Sequence, residues 1–306
     1  MASPSERGCG NPGTHRAGFV ALGGRSNVGK STLLNRIVGH KVAIVTPRPQ
    51  TTRRRILGIR SDPDAQMILI DTPGVHAAAK PLNRRMVETA RRCMAEGEVI
   101  LAVVEAGPEL GAEDRAVIAE LRELKRPMII AINKIDLIAR ARLLAMAEQC
   151  SREAPETEIV PVSALSGENL EELIAVIKRM LPEGGLLMPA DEYTDQTERE
   201  IAGELIREQV FLAMRQEVPF STAVRVENWS EEPGRKLTRI AAVIVVERDS
   251  HKGMIIGAGG RQLKQIGSAA RLELEAMLGA RVFLELHVKL ERNWTRDPRK
   301  LAEMGL

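Results

Sequence analysis

The chain has 306 residues, a formal net charge of +3, 28% charged residues and only 2% aromatics. That length fits two domains with largely aliphatic cores, and the small net charge excludes a global cationic field, so any nucleic-acid contact must come from local patches. The cysteines Cys9, Cys93 and Cys150 are too few and scattered for a disulfide framework, the histidines show no metal-site spacing, and no apolar stretch has the length of a membrane span.

Residues 1–16 are rich in Ser, Gly and Pro without an apolar segment, which predicts a flexible tail and no signal peptide. The run Phe19–Leu22 reads as a buried strand, and Ser31–Val38 as a helix that stops at Gly39. Between them lies Gly24-Arg25-Ser26-Asn27-Val28-Gly29-Lys30-Ser31, which fits G-x-x-x-x-G-K-S/T in its proper strand–loop–helix setting. The glycines let backbone N–H groups converge on phosphate oxygens, and the helix N-terminus adds partial positive charge. Lys30 is expected to reach the β- and γ-phosphates, Ser31 to put its hydroxyl on Mg²⁺, and Thr32 to complete the phosphate-binding turn.

The segment Thr46–Arg55 holds two prolines among polar residues, which predicts a loop. A loop between the phosphate-site helix and the next strand suits a nucleotide-sensing switch, here Gln50, Thr51, Thr52, Arg53 and Arg54. Thr52 or Thr51 could place a hydroxyl on Mg²⁺ when a γ-phosphate is present. The basic run Arg53-Arg54-Arg55 reads as solvated.

Two strands, Ile56–Ile59 and Gln66–Ile70, follow, the second ending in Asp71-Thr72-Pro73-Gly74-Val75. A carboxylate at that strand end can hold Mg²⁺, and Gly74 can offer its N–H to a γ-phosphate. Beyond a helix around 82–96, the apolar runs Val99–Val104 and Met128–Ile132 read as parallel strands covered on both faces. The second runs into Asn133-Lys134-Ile135-Asp136. Asp136 can accept from N1–H and the exocyclic amine of guanine, whereas adenine would leave that carboxylate facing a lone pair. Asn133 can bond the base edge and the Lys134 stem can lie across the ring. After strand Glu158–Val162, a backbone N–H at Ser163-Ala164 could bond guanine O6, and a helix to Leu181 closes the alternation.

These elements resemble a TRAFAC-class GTPase domain over about 17–181: α/β, with a P-loop and a mostly parallel sheet. The resemblance implies GTP/GDP and Mg²⁺ as ligands, with Mg²⁺ on Ser31, Thr52 and Asp71. Val75 stands where Ras-like enzymes carry a water-orienting glutamine. Asn27 matches the asparagine that GTPases without this glutamine use to hold K⁺, so potassium stimulation is implied.

Residues 182–197 read as a linker, and 198–306 as a smaller α+β domain. Its predicted order is helix 198–217, strands 221–227 and 237–247, a short helix, helix 262–278 and strand 282–290. Gly257-Ala258-Gly259-Gly260 fits G-x-x-G between two helices, where small residues let a nucleic-acid backbone approach. Arg248, Lys252, Arg261 and Lys264 flank it with positive charge. The order resembles a type II KH domain.

The pairing of these domains, together with Pro49-Gln50-Thr51-Thr52-Arg53, resembles the Era family of bacterial ribosome-assembly GTPases. The resemblance implies a slow GTPase that binds the 3′ end of small-subunit (16S) ribosomal RNA during 30S assembly. It also implies a cytoplasmic monomer with some peripheral contact with the inner membrane. Ala258 stands where the family usually carries lysine, and His287 where tryptophan is common, so one phosphate contact is expected to be missing. Two contrasting readings are an RNA-binding module whose nucleotide site barely hydrolyses, and a membrane-associated regulatory GTPase. Lys30, Asp71 and Thr52 argue against the first, and the glycine-loop pattern against the second.

Overall fold

The computed structural model describes residues 15–49, 51–73, 81–215, 217–232, 234 and 236–304, with only the backbone of 81–85. The strands of the first unit are β1 (Arg16–Gly23), β2 (Ile56–Ser61), β3 (Ala65–Asp71), β4 (Val99–Glu105), β5 (Met128–Asn133) and β6 (Glu158–Pro161). They form one sheet in the order β2-β3-β1-β4-β5-β6, parallel except for β2 against β3. The uninterrupted apolar runs are explained by burial on both faces. Helices α1 (Lys30–Val38) and α5 (Leu170–Met180) cover one face through Leu33, Leu34, Ile37, Leu173 and Ile177. On the other face lie α2 (Pro81–Glu96), α3 (Ala112–Arg122) and α4 (Arg140–Glu153), with Met94, Ile118, Leu121, Met146 and Cys150 inward. The carboxyl ends of β1, β3, β4 and β5 therefore share one rim, where ligand loops collect in such sheets.

Arg16, expected in the tail, is the first residue of β1, and its guanidinium donates to the Leu181 carbonyl at 2.7 Å. The linker is strapped to the sheet rather than loose. Buried Gln66 accepts from the Leu187 and Met188 N–H groups at 2.8 and 2.9 Å, and the Ile59 N–H donates to the Tyr193 carbonyl at 2.9 Å. Tyr193 also stacks on His40, with centroids 4.4 Å apart.

A capping box of Thr197 and Glu200 starts α6 (Glu198–Ala213). This helix was expected to continue to 217, but it stops where the chain turns into a short 3₁₀ segment, Pro219–Ser221. The second sheet follows: β7 (Thr222–Glu232), β8 (Leu237–Val246) and, after α7 (Asp249–Ile256) and α8 (Arg261–Leu278), β9 (Arg281–Leu290). β8 lies antiparallel to β7 and parallel to β9. Its alternation sends Ile240, Ala242, Ile244 and Val246 against α6 and α8. Val243 and Val245 face the opposite way, onto Trp294 and the closing helix α9 (Pro298–Glu303). Met86 of α2 joins that second cluster, and Ile44 joins the first, so each face of the small sheet is completed by a residue of the large unit.

A nucleotide cleft and a glycine-loop groove

The loop from Gly24 to Gly29 turns on conformations that only glycine adopts without strain. Gly24 has φ of 146°, and a Cβ there would meet the Val103 carbonyl oxygen at 2.4 Å. Gly29 has φ of 98°, and a Cβ would lie 2.3 Å from Asn133 Nδ2. Lys30 enters α1 buried, with its ammonium on the Gly24 and Arg25 carbonyls at 2.9 and 2.8 Å. Burial pushes its pKa down to about 8, against the pull of Asp71. Arg25 folds away from the loop onto Asp114 at 2.8 Å.

Ser31, Thr52 and Asp71 converge. Ser31 Oγ donates to Asp71 Oδ2 at 2.5 Å, Thr52 Oγ1 donates to the same oxygen at 3.1 Å, and the two hydroxyls lie 3.0 Å apart. Burial raises the Asp71 pKa, opposed by Lys30 and by these two donors. Among the described residues, buried Asp71 Oδ1 has no hydrogen-bond partner. A buried carboxylate with one vacant oxygen beside two hydroxyls is a hard, oxygen-only donor set of the kind that suits Mg²⁺. Thr51 is turned elsewhere: its hydroxyl donates to the Arg48 carbonyl at 2.8 Å and contacts Thr46 Oγ1 at 2.7 Å.

A cleft of about 760 Å³ opens over this cluster, lined by Arg25–Asn27, Gly29–Thr32, Ile44–Pro49, Thr51, Thr52, Thr72, Glu105 and Lys134. Val28 is a core residue whose carbonyl faces Asn133, and the Thr72 hydroxyl donates to the Leu22 carbonyl at 3.1 Å. Pro73 ends the described strand exit; Gln50, Gly74 and Val75 lie outside the described residues. Asn27 (φ 65°) donates to the Pro47 carbonyl at 3.2 Å, joining the phosphate loop to the switch.

Asn133 has a role beyond the expected base contact, which its second Nδ2 hydrogen leaves open. Its Nδ2 donates to the Val28 carbonyl at 2.8 Å and its Oδ1 accepts the Ala164 N–H at 2.9 Å. It braces two loops against each other, and the Ala164 N–H expected for a guanine oxygen is held by that brace. Ser163 Oγ donates to Asp136 at 2.6 Å, which orients an otherwise exposed carboxylate. Ile135 is buried beneath them, and Lys134 pairs with Glu105 at 3.0 Å at the cleft mouth.

The basic run after Thr52 is solvated as expected only at Arg55; Arg54 is half-buried and Arg53 is not solvated at all. Arg53 is buried in the second unit, donating to the carbonyls of Pro219, Phe220 and Thr222 at 3.0, 2.9 and 2.8 Å. Burial first, and nearby Arg207 second, press its pKa down. Arg54 donates to the Met304 carbonyl and faces Glu200, while Arg55 pairs with Glu96 at 3.2 Å. The sequence reading missed the partners on the second unit, among them Glu200, Arg207 and Glu208 on α6, the Pro219–Thr222 turn and the Met304 carbonyl.

In the second unit, Gly257–Gly260 links α7 to α8 with φ of 70°, 61° and 78° at its three glycines. A Cβ on Gly259 or Gly260 would meet nothing within 4 Å among the described residues, which leaves room there for a ligand. A groove of about 370 Å³ continues from Gly260 between α8 and β9, lined by Leu263, Lys264, Gly267, Ser268, Arg271, Leu284 and Leu286. Ala258 is exposed, and Arg261 spends one donor on its carbonyl at 3.3 Å. Lys252 sits half-buried on α7. Arg248 lies apart, in a separate cleft with Arg292 and Arg296.

Residues 19–134 match the family described as "50S ribosome-binding GTPase", and 217–295 match "KH domain". The GTPase Era of Syntrophus aciditrophicus is 46% identical over 290 residues, covering 95% of each chain. That of Geobacter metallireducens is also 46% identical, covering 95% of this chain and 97% of its own. Among solved structures, a Tyr-to-Ala variant of Aquifex aeolicus Era bound to GDP·AlF4⁻ superposes with a TM-score of 0.91 at 39% identity, covering 95% of this chain and 99% of that one. Era in complex with MgGDPNP and nucleotides 1506–1542 of 16S ribosomal RNA superposes with a TM-score of 0.91 at 40% identity and the same coverage. With both units matched along nearly its whole length, the chain belongs to the Era family of P-loop GTPases.

Proposed function

We propose that this GTPase is a switch whose nucleotide state sets its grip on the 3′ end of small-subunit ribosomal RNA during 30S assembly. Residues 17–181 are the hydrolytic unit, 182–197 the strap and 198–306 the RNA-binding unit. The observation that carries the reading is adjacency. Thr52 reaches the Ser31–Asp71 cluster while Arg53, the next residue, is buried in the second unit. Ordering one orders the other.

Ser31, Thr52 and Asp71 would hold Mg²⁺, and the vacant Asp71 Oδ1 supports that reading. When bound, the ion neutralises charge on the β- and γ-phosphate oxygens. Lys30 lies against the carbonyls of its own loop and is ready to exchange them for phosphate oxygens. Asn27 would contribute its amide oxygen Oδ1 to K⁺, with the amide held in place by the Nδ2 bond to the Pro47 carbonyl. Asp136, oriented by Ser163, would select guanine. Gly74 and Val75 complete the switch by sequence alone.

RNA would follow the groove from Gly257–Gly260 along α8, with Lys252, Arg261 and Lys264 near its phosphates and Arg248 further out. The relative bound to nucleotides 1506–1542 of 16S ribosomal RNA supports this partner. The protein would act in the cytoplasm as a monomer, with contact at the inner membrane only peripheral. Among the described residues, no helix is long and apolar enough to cross a membrane.

The test is binding of an RNA copying the small-subunit 3′ tail, with GDP or GDPNP, across a salt series. Tighter binding with GDPNP is expected. Binding that ignores the nucleotide refutes the coupling, and no binding in either state refutes the RNA assignment. Phosphate release in K⁺ against Na⁺ tests Asn27.

A further inference from the structure

Arg207 belongs to the RNA-binding unit, yet it touches the switch. Its side chain is 3% exposed, and its Nη2 donates to the main-chain carbonyl of Thr51 at 2.6 Å. Glu204 pairs with it through two bonds of 3.0 and 2.5 Å, and its guanidinium lies 5.2 Å from the Phe211 ring. Among the described residues, its buried Nη1 has no partner.

That arrangement is poorly suited to simple cohesion. A second cation, Arg53, approaches the same ring at 5.8 Å, and an unpaired buried donor costs stability. An apolar side chain of similar volume would join the units at lower cost. What the arginine does achieve is aim. The Thr51 carbonyl and the Thr52 nitrogen share one planar peptide unit. Gripping that oxygen fixes the plane from which the Thr52 side chain departs, and Thr52 Oγ1 is the hydroxyl that reaches Ser31 and Asp71. The Thr51 hydroxyl, tied within its own loop, leaves the carbonyl as the handle.

We propose that Arg207 is a positioning residue of the nucleotide site, supplied by the RNA-binding unit, which sets Thr52 for the triphosphate state and not for the diphosphate state. The inference rests on the proposed role of Thr52 toward Mg²⁺. It makes the second unit a working part of nucleotide discrimination.

The experiment compares full-length wild type with Arg207→Met, and with Arg207→Met combined with Glu204→Gln so that no buried carboxylate is left uncompensated. Equilibrium binding of fluorescent GDPNP and GDP is measured over a Mg²⁺ series, with urea unfolding as the check on folding. Trypsin cleavage after Arg53, Arg54 and Arg55 reports the switch itself. In both variants GDPNP is expected to bind about tenfold more weakly, GDP to change less than about twofold, and more Mg²⁺ to be needed for GDPNP. Cleavage in the switch should be faster with GDPNP bound. A folded double variant with both affinities unchanged, or both reduced equally, overturns the proposal. A wild type whose GDPNP binding ignores Mg²⁺ overturns the Thr52 role, and this inference with it.

Discussion

Ser221 Oγ and His251 Nδ1 lie 3.0 Å apart, joining the turn clasped by Arg53 to the helix that leads into the glycine loop. The same turn offers the Ser221 carbonyl to Trp294 Nε1 at 3.0 Å. His251 is buried, so its end of the bond is shielded from solvent. Replacing His251 with Phe keeps the bulk and removes the bond. GTP hydrolysis without RNA should be unchanged, while the ratio of RNA affinities with GDPNP and GDP falls by about fivefold, the scale of a weak coupling energy. Fluorescence anisotropy with the 3′-tail RNA measures it.

Arg53→Ala strips three carbonyls of a charged donor. We expect a loss of about 2 kcal/mol in unfolding free energy. RNA affinity should also become insensitive to nucleotide. Arg53→Lys should recover part of the stability but not the coupling, because one ammonium cannot replace a planar fork on three acceptors. Urea unfolding and the RNA assay separate the two effects.

Asp71→Asn removes a buried charge while keeping an oxygen for Ser31 and Thr52. The nucleotide-free protein should be as stable as wild type or more so, since the raised pKa marks a carboxylate that burial disfavours. Hydrolysis should fall at least about a hundredfold. Thermal unfolding without nucleotide and phosphate release together check this pairing of opposite signs.

Glu204 gives a pH dependence. Burial alone would raise its pKa, but Arg207 overcomes this and holds it below its ordinary value of 4.5. For an acid with a depressed folded pKa, the stabilisation is complete above the unfolded pKa and lost as pH falls through the folded one. Stability should therefore hold down to about pH 4.5 and decline below it. Glu204→Gln should flatten that decline, as read by urea midpoints along a pH series.

Gly29→Ala would drive a methyl group onto Asn133 at a φ closed to alanine. The phosphate loop and the Asn133 brace cannot both keep their places. A loss of about 2 kcal/mol and of GDP binding together is expected. Gly39→Ala meets no neighbouring atom and has φ of 81°, so it should cost stability but spare GDP binding.

Local chemistry made much of this legible in sequence. The phosphate loop, Asp71 and Asn133–Asp136 each end a strand whose apolar run announces burial. Their loops meet because a parallel sheet gathers strand ends on one rim. The glycine loop was legible from its own small residues between two helical patterns and from the basic residues that flank it. What sequence could not reveal were contacts between the units. A run of three arginines ordinarily signals a solvated loop, and only the neighbouring turn makes Arg53 a buried group. Asn133 shows a subtler limit: its type suggested a base contact, but nothing in the sequence showed that the same amide also braces Val28 against Ala164. The choice between Thr51 and Thr52 likewise depended on which hydroxyl the Thr46–Arg48 turn had already captured.

Thr52 and Arg53 are consecutive, so no length of chain separates the chemical event from the mechanical one. The device has no slack. An inserted or deleted residue between them would shift one side chain out of register with its partner, and no flexible spacer could absorb the error. The hydrolytic unit is therefore not a portable cassette. Grafted onto another RNA-binding module, it would keep its timing only if the Pro219–Thr222 turn and Arg207 travelled with it.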